Sequence, residues 1–121
     1  MADDTETREQ LLRRAYAAFN ARDIDAALAT MWPDVDWPNG MEGGWVRGHD
    51  EIRAYWTRQW GLIDPRVDPI RYAHEGGEVA VDVRQFVRDL AGTVLMDTVV
   101  RHVYQIENGL VRRMEIREAG D

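Results

Sequence analysis

The chain has 121 residues, a net charge of −7, no cysteine, and arginine in all fifteen of its lysine-or-arginine positions. That length makes one domain, 1–121, with a single core, and the acidic balance without a basic stripe argues against nucleic acid and membrane partners. Without cysteine there is no disulfide, thiolate nucleophile or thiolate metal site, and without lysine no Schiff-base chemistry. The acidic start Met1-Ala2-Asp3-Asp4 lacks the basic and apolar regions of a secretory signal. No apolar run approaches the roughly 20 residues of a membrane span, so a cytoplasmic protein is expected.

Residues 5–20 read as a first helix, with Thr5 as cap and Leu11, Leu12, Ala15, Tyr16 and Phe19 as its apolar stripe. Asp23 caps a second, short helix with Ile24, Ala27, Leu28 and Met31 inward, and Pro33 ends it. Val35 and Trp37 alternate with Asp34 and Asp36 as a short strand, stopped by Pro38-Asn39-Gly40. The glycine-rich stretch from Asn39 to Gly44 matches no phosphate-cradling motif and reads as a lid or turn, with Trp45 as a flap beside it. Trp45-Val46-Arg47 offers a second short strand. His49 or Asp50 then opens a third helix carrying Ile52, Tyr55, Trp56 and Trp60 on one side. After an Asp64-Pro65 turn, Ile70, Tyr72 and His74 alternate inward, and Gly76-Gly77 makes a hairpin.

The rest reads as three strands with matching inward faces. Val79, Val81, Val83, Gln85 and Val87 share one face of the first. Val94, Met96, Thr98, Val100, His102, Tyr104 and Ile106 share one face of the next, and a two- or four-residue loop near Ala91-Gly92 keeps both sets on one side. Glu107-Asn108-Gly109 fits a three-residue hairpin that adds Arg112, Met114 and Ile116. The fold class is α+β: three N-terminal helices packed on a strongly curved, mainly antiparallel sheet that forms a pocket.

Ala18-Phe19-Asn20-Ala21-Arg22-Asp23-Ile24-Asp25-Ala26-Ala27-Leu28, Asp34-Val35-Asp36-Trp37, Gly48 with Ile52 and Tyr55-Trp56, and Glu107-Asn108-Gly109-Leu110-Val111 together resemble the nuclear transport factor 2-like superfamily, nearest to its SnoaL-like proteins. The resemblance covers nearly the whole chain. It implies a cone-shaped pocket between helices and sheet, and commonly a homodimer through the outer sheet face. It leaves activity open, because the fold hosts isomerases, cyclases, dehydratases, epoxide hydrolases and non-catalytic binders. Laid against the related ketosteroid isomerase, the catalytic base falls on Asn39, which accepts no proton at neutral pH. The phenolic donor falls on Ala15, beside Tyr16, and the second donor on Arg101 or His102. Dedicated ketosteroid isomerisation is therefore not expected.

His102 is the candidate acid–base group, an imidazole in an apolar wall that lowers its pKa; the competing reading is a neutral core histidine bonded to Thr98, Gln85, Tyr16 or water. Asn39 is the second candidate catalytic residue, and Tyr16, Trp37, Trp56, Trp60, Tyr72, Gln85, Thr98 and Met114 are the candidate ligand contacts. The three histidines fall in separate elements without ligand spacing, so neither metal nor cofactor is expected. On the outer face, Arg84, Phe86, Val99 and Arg101 form an arginine-rich surface with an aromatic anchor, which suits a homodimer interface. Ion pairs of Asp82 with Arg101 or Arg84 with Asp97 are expected there. Two functions fit: a cofactor-independent enzyme acting on a small apolar cyclic substrate, or a non-catalytic ligand-binding homodimer.

Overall fold

The computed structural model describes residues 4–40 and 43–119. Helices α1 (Asp4–Asn20) and α2 (Ile24–Leu28) lead into strands β1 (Met31–Pro38) and β2 (Trp45–Arg47), then helix α3 (Gly48–Trp60). Strands β3 (Ile63–Glu75), β4 (Glu78–Asp89), β5 (Val94–Glu107) and β6 (Leu110–Glu118) follow as an antiparallel meander. The break between α1 and α2 falls at Arg22, whose φ of 63° ends the first helix. Arg22 is held there by Asp64, by the Pro65 carbonyl at 2.7 Å, and by the Trp60 ring beneath its guanidinium. Asp23 then caps α2 by accepting from the Ala26 N–H at 3.1 Å.

All six strands form one sheet in the order β2-β1-β6-β5-β4-β3, with the helices packed on it. The expected cone is overturned: the sheet has two free ends, β2 and β3, and is neither closed nor strongly curled. It is also mixed, since β1 runs parallel to β6 while its other pairings are antiparallel. A parallel neighbour requires a crossover connection, here supplied by everything between β1 and β6. The architecture is α+β with helices on an open sheet.

Several local expectations are corrected as well. Met31 begins β1 instead of closing α2, and Pro33 lies inside β1, where the register against β6 shifts and pairing with β2 has not begun. A proline there removes no ladder bond. Asp64 and Pro65 belong to β3, and an edge strand tolerates both Pro65 and Pro69. Ile70 sits at a bulge where Pro69 pairs with Val83 and Arg71 with Asp82, which leaves it 60% exposed. Trp45 is the first residue of β2, paired with Pro38 and covered by the Arg113 guanidinium, so it is not a loose flap. Met41 and Glu42 of the glycine-rich stretch lie outside the described residues.

The last hairpin turns on Asn108 and Gly109 alone, with φ of 49° and 79°. Two successive left-handed residues make the tight hairpin turn whose twist matches the strands. The residue saved reappears as a bulge at Arg112, which bonds Asp34 instead of pointing inward. Between β4 and β5 the even parity holds: Val81 faces His102, Val83 faces Val100, Gln85 faces Thr98 and Val87 faces Met96. Beyond Val87 a bulge sets Arg88 against Val94, so Leu95 is the extra residue. Both outer ion pairs form, Asp82 with Arg101 at 2.9 Å and Arg84 with Asp97 at 2.8–2.9 Å.

The core lies between α1, α3 and the inward rows, with Leu12, Ile52, Val79, Val81 and Val83 fully buried. Toward its N-terminal end β5 outruns its neighbour: pairing with β6 begins at Val100, so residues 94–99 have only β4 beside them among the described residues.

Asn20 fastens the end of α1 to β3 by accepting from the Val67 N–H at 2.9 Å and donating to the Val67 carbonyl at 2.7 Å. Asn20→Ala leaves both part-buried backbone groups unmatched, and urea unfolding is expected to show a loss of about 2 kcal/mol.

Candidate functional site

Between the helices and the inner face of the sheet lies a cavity of about 300 Å³, within the size range of small-molecule sites. Trp37 from β1 and Trp56 from α3 meet edge to face at 5.8 Å and supply much of its apolar wall. Phe19, Met31, Val87 and Met114 extend that wall. Polar groups come from Tyr16, His102 and Tyr104 on one side, from the Tyr55–Gln59 pair on α3, and from Gln85 on β4. Among the described lining residues none is Asp, Glu, Lys or Arg.

Alternation places His102 and Tyr104 inward on β5, and the stripe of α1 places Tyr16 above them. The Tyr104 hydroxyl donates to the Tyr16 hydroxyl at 2.8 Å, and the Tyr16 hydroxyl lies 2.9 Å from His102 Nδ1. With its oxygen already accepting from Tyr104, the Tyr16 hydroxyl needs an acceptor for its own proton, and Nδ1 is that acceptor. In that direction of donation neutral His102 carries its proton on Nε2. No described residue bonds Nε2, and His102 lines the cavity. The Tyr16 and His102 rings stack at 5.9 Å with 18° between planes.

Burial controls the ionisation of all three groups. His102 is pushed down from 6.5 to about 4, because the apolar surroundings disfavour imidazolium. Tyr16 is raised well above 10, by burial first and then by neighbouring Tyr104, and Tyr104 is raised by burial. At neutral pH the cluster is uncharged and offers the cavity a hydrogen-bond donor, not a base.

The structure gathers His102, Tyr16, Trp37, Trp56, Gln85 and Met114 around this cavity. It places four other sequence candidates elsewhere. Asn39 follows β1, where its backbone closes a turn on Gly43 and Gly44, and it is not a lining residue. Trp60 packs behind the wall, stacked on Trp56 at 5.8 Å and edge-on to Phe19 at 5.3 Å. Tyr72 pairs opposite Val81 with its ring under Arg13, and its buried hydroxyl has no partner. Thr98 lies on the inward face but at the exposed end of β5. His49 bonds the Met31 carbonyl and His74 lies 3.4 Å from Glu9. Among the described residues no group of three metal-ligating side chains forms. Sequence reasoning put Tyr104 on the inward face but missed its role as the first donor of the chain; a second tyrosine beside an inward histidine was the available signal.

A sequence profile of the SnoaL-like domain matches residues 12–114. No curated protein matches the chain significantly. Among solved structures, TerC co-crystallised with polyporic acid is 28% identical over 93% of this chain and 92% of that one, with a TM-score of 0.82. A protein of unknown function of the nuclear transport factor 2-like class, from Burkholderia pseudomallei K96243, is 30% identical over 93% and 91%, also at 0.82. A Catenulispora acidiphila DSM 44928 protein of ketosteroid isomerase-like fold, in complex with trimethylamine, shares the fold at 12% identity over 88% and 82%, with a TM-score of 0.77.

The depressed pKa of His102 has a consequence for stability. The unfolded chain takes up the proton at about 6.5 and the folded chain only at about 4, so stability is fully present above the first value and falls as pH drops toward the second. The difference amounts to about 3 kcal/mol. Urea unfolding from pH 7.5 to 4 is expected to show this loss in the native protein and not in His102→Gln, whose side chain does not titrate.

Proposed function

The chain belongs to the SnoaL-like domain family, and we propose that its cavity takes a compact, largely apolar, cyclic carbonyl compound and polarises it for cofactor-independent chemistry. Isomerisation, cyclisation, hydration and dehydration are the reactions in view. The observation behind this reading is the Tyr16 hydroxyl 2.9 Å from Nδ1 of a buried His102 that lines an apolar cavity without formal charge, and with Tyr16 as donor Nε2 carries the proton offered to a ligand. A hydrogen bond from Nε2 to the carbonyl oxygen strengthens as charge develops on that oxygen, because the surroundings have a low dielectric constant. The Tyr104–Tyr16 pair holds the donor in place, so little reorganisation accompanies the reaction. Trp37 and Trp56 give a flat ring two aromatic faces to pack against. The likeness to TerC, a protein co-crystallised with polyporic acid, supports a small cyclic organic molecule as the kind of ligand.

One observation favours the second reading, a ligand-binding protein without turnover. No lining residue among those described is ionised and placed to remove a proton from the ligand. Under either reading we propose a homodimer through the outer sheet face, centred on Phe86 between Arg84 and Arg88 at 5.0 and 5.2 Å and including half-exposed Val99 and the Asp82-paired Arg101.

A thermal-shift screen of cyclic ketones, followed by turnover assays on the hits, tests the site. His102→Gln is expected to lower turnover by about 100- to 1,000-fold while leaving affinity within a few-fold. Hits that are never converted by the native protein select the binding reading. Light scattering is expected to report twice the chain mass for the native protein and one chain mass for folded Phe86→Glu, since a charge placed at the centre of an interface lacks a partner.

A further inference from the structure

The polar groups facing the cavity are unequally occupied. Tyr104, Tyr16 and His102 spend their hydrogen bonds on one another except at Nε2, and Gln59 bonds Tyr55 at 3.3 Å. Gln85 is different. It lines the cavity, has no hydrogen bond to any described residue, and its amide is not among the sealed, unpartnered polar atoms. Its amide therefore opens onto the cavity space.

The Gln59 oxygen is also without a partner but sealed from the cavity space, and register sets how far apart His102 and Gln85 lie. His102 pairs with Val81, while Gln85 stands four residues farther along β4 and pairs with Thr98. At about 3.3 Å per residue their backbone positions are ~13 Å apart along the strand, so two ligand oxygens, each held at hydrogen-bond distance on the near side of its partner, stand roughly 10 Å apart. Burial along β5 gives the direction: His102 is 7% exposed, whereas Met96 is 46% exposed. His102 is thus the deep pole and Gln85 the pole at the mouth. On the sheet Val83 and Val100 stand between them, Val87 and Met96 lie beyond Gln85, and Trp37 and Trp56 line the cavity from β1 and α3.

Resting on the cavity reading above, we infer that Gln85 is a specificity-determining residue, and that the ligand is uncharged, flat, and carries one oxygen at each end about 10 Å apart. The inner oxygen must be an acceptor, a carbonyl or ether, because Nε2–H only donates. The outer one can be a hydroxyl or carbonyl, because an amide both donates and accepts. A carboxylate or ammonium at the deep end is excluded, since it would be buried without a counter-charge.

Two commercial probes separate these demands: 4-(4-hydroxyphenyl)cyclohexanone, whose oxygens stand on the order of 10 Å apart, and 4-phenylcyclohexanone, which lacks the outer oxygen. Calorimetric titration of the native protein is expected to show about 3- to 10-fold tighter binding of the hydroxylated probe, the range of one neutral hydrogen bond. Gln85→Met, close in size and shape, is expected to bring both probes to the affinity of the unhydroxylated one. Equal affinities in the native protein, or a preference that survives in Gln85→Met, overturn the assignment to Gln85 while leaving the cavity reading intact. Binding of neither probe to the native protein overturns the cavity reading and this inference with it. Should Gln85→Met fail to fold, Gln85→Leu makes the same comparison with the same two outcomes.

Discussion

Three of the polar side chains buried in this core satisfy one another: Tyr104 gives its proton to Tyr16, and Tyr16 gives its own to His102. A phenol or imidazole buried alone costs a few kcal/mol. The arrangement is therefore all or nothing, and it constrains more than the three residues. Tyr16 belongs to α1 and its partners to β5, so the chain of bonds sets how α1 is rotated against the sheet. Phe19 follows on the same helical stripe and meets Trp56 and Trp60 edge-on at 5.4 and 5.3 Å, which seats α3 in turn. Asn20, one residue on, is clamped to β3. Helix placement, aromatic wall and histidine tautomer all follow from one short relay of hydroxyl protons.

The sheet makes its contribution through register and through unequal strand lengths. The bulge at Leu95 offsets an odd turn between β4 and β5, so the valines of one strand and the polar set of the other stay on the same face. The sheet does not have to wrap around the ligand to hold it. An open sheet with helices on one face suffices, because the tryptophans of β1 and α3 close the side that a curled sheet would have covered. The overhang of β5 beyond β6 leaves that end of the cavity open to solvent, and the gradient of exposure from Met96 to His102 follows from it.

Much of this was legible in the residues. Strict alternation identified the inward rows of β4 and β5, and helical spacing identified Tyr16, so all three members of the buried relay were on the expected faces. That they meet was not legible, because Tyr16 and His102 are 86 residues apart and their contact depends on how α1 crosses the sheet. Bulges were the main source of local error. Ile70 and Arg112 lie at irregularities that no glycine marks, and one extra residue reverses the face of a side chain. The Asn108-Gly109 turn was recognisable, but two- and three-residue loops share that dipeptide, and the choice between them decides where Arg112 points. Thr98 shows the remaining limit: periodicity gives the correct face, while its exposure depends on where β6 stops. Curvature was misjudged because alternation reports faces, not the bend of the sheet.

An open sheet has unsatisfied backbone at its margins, and here the margins differ in character. β3 carries Pro65 and Pro69, which lack the N–H that a docking strand needs, and β2 is three residues long. Residues 94–99 of β5 have neither protection: no proline, a single acidic residue in Asp97, and exposed Val94, Leu95, Met96 and Val99 along a strand with one vacant side among the described residues. The same overhang that opens the cavity is thus the molecule's most adhesive backbone. Of the described strand margins this hexapeptide is the one with the fewest features that block a docking strand, while the longer margin of β3 is guarded by its prolines.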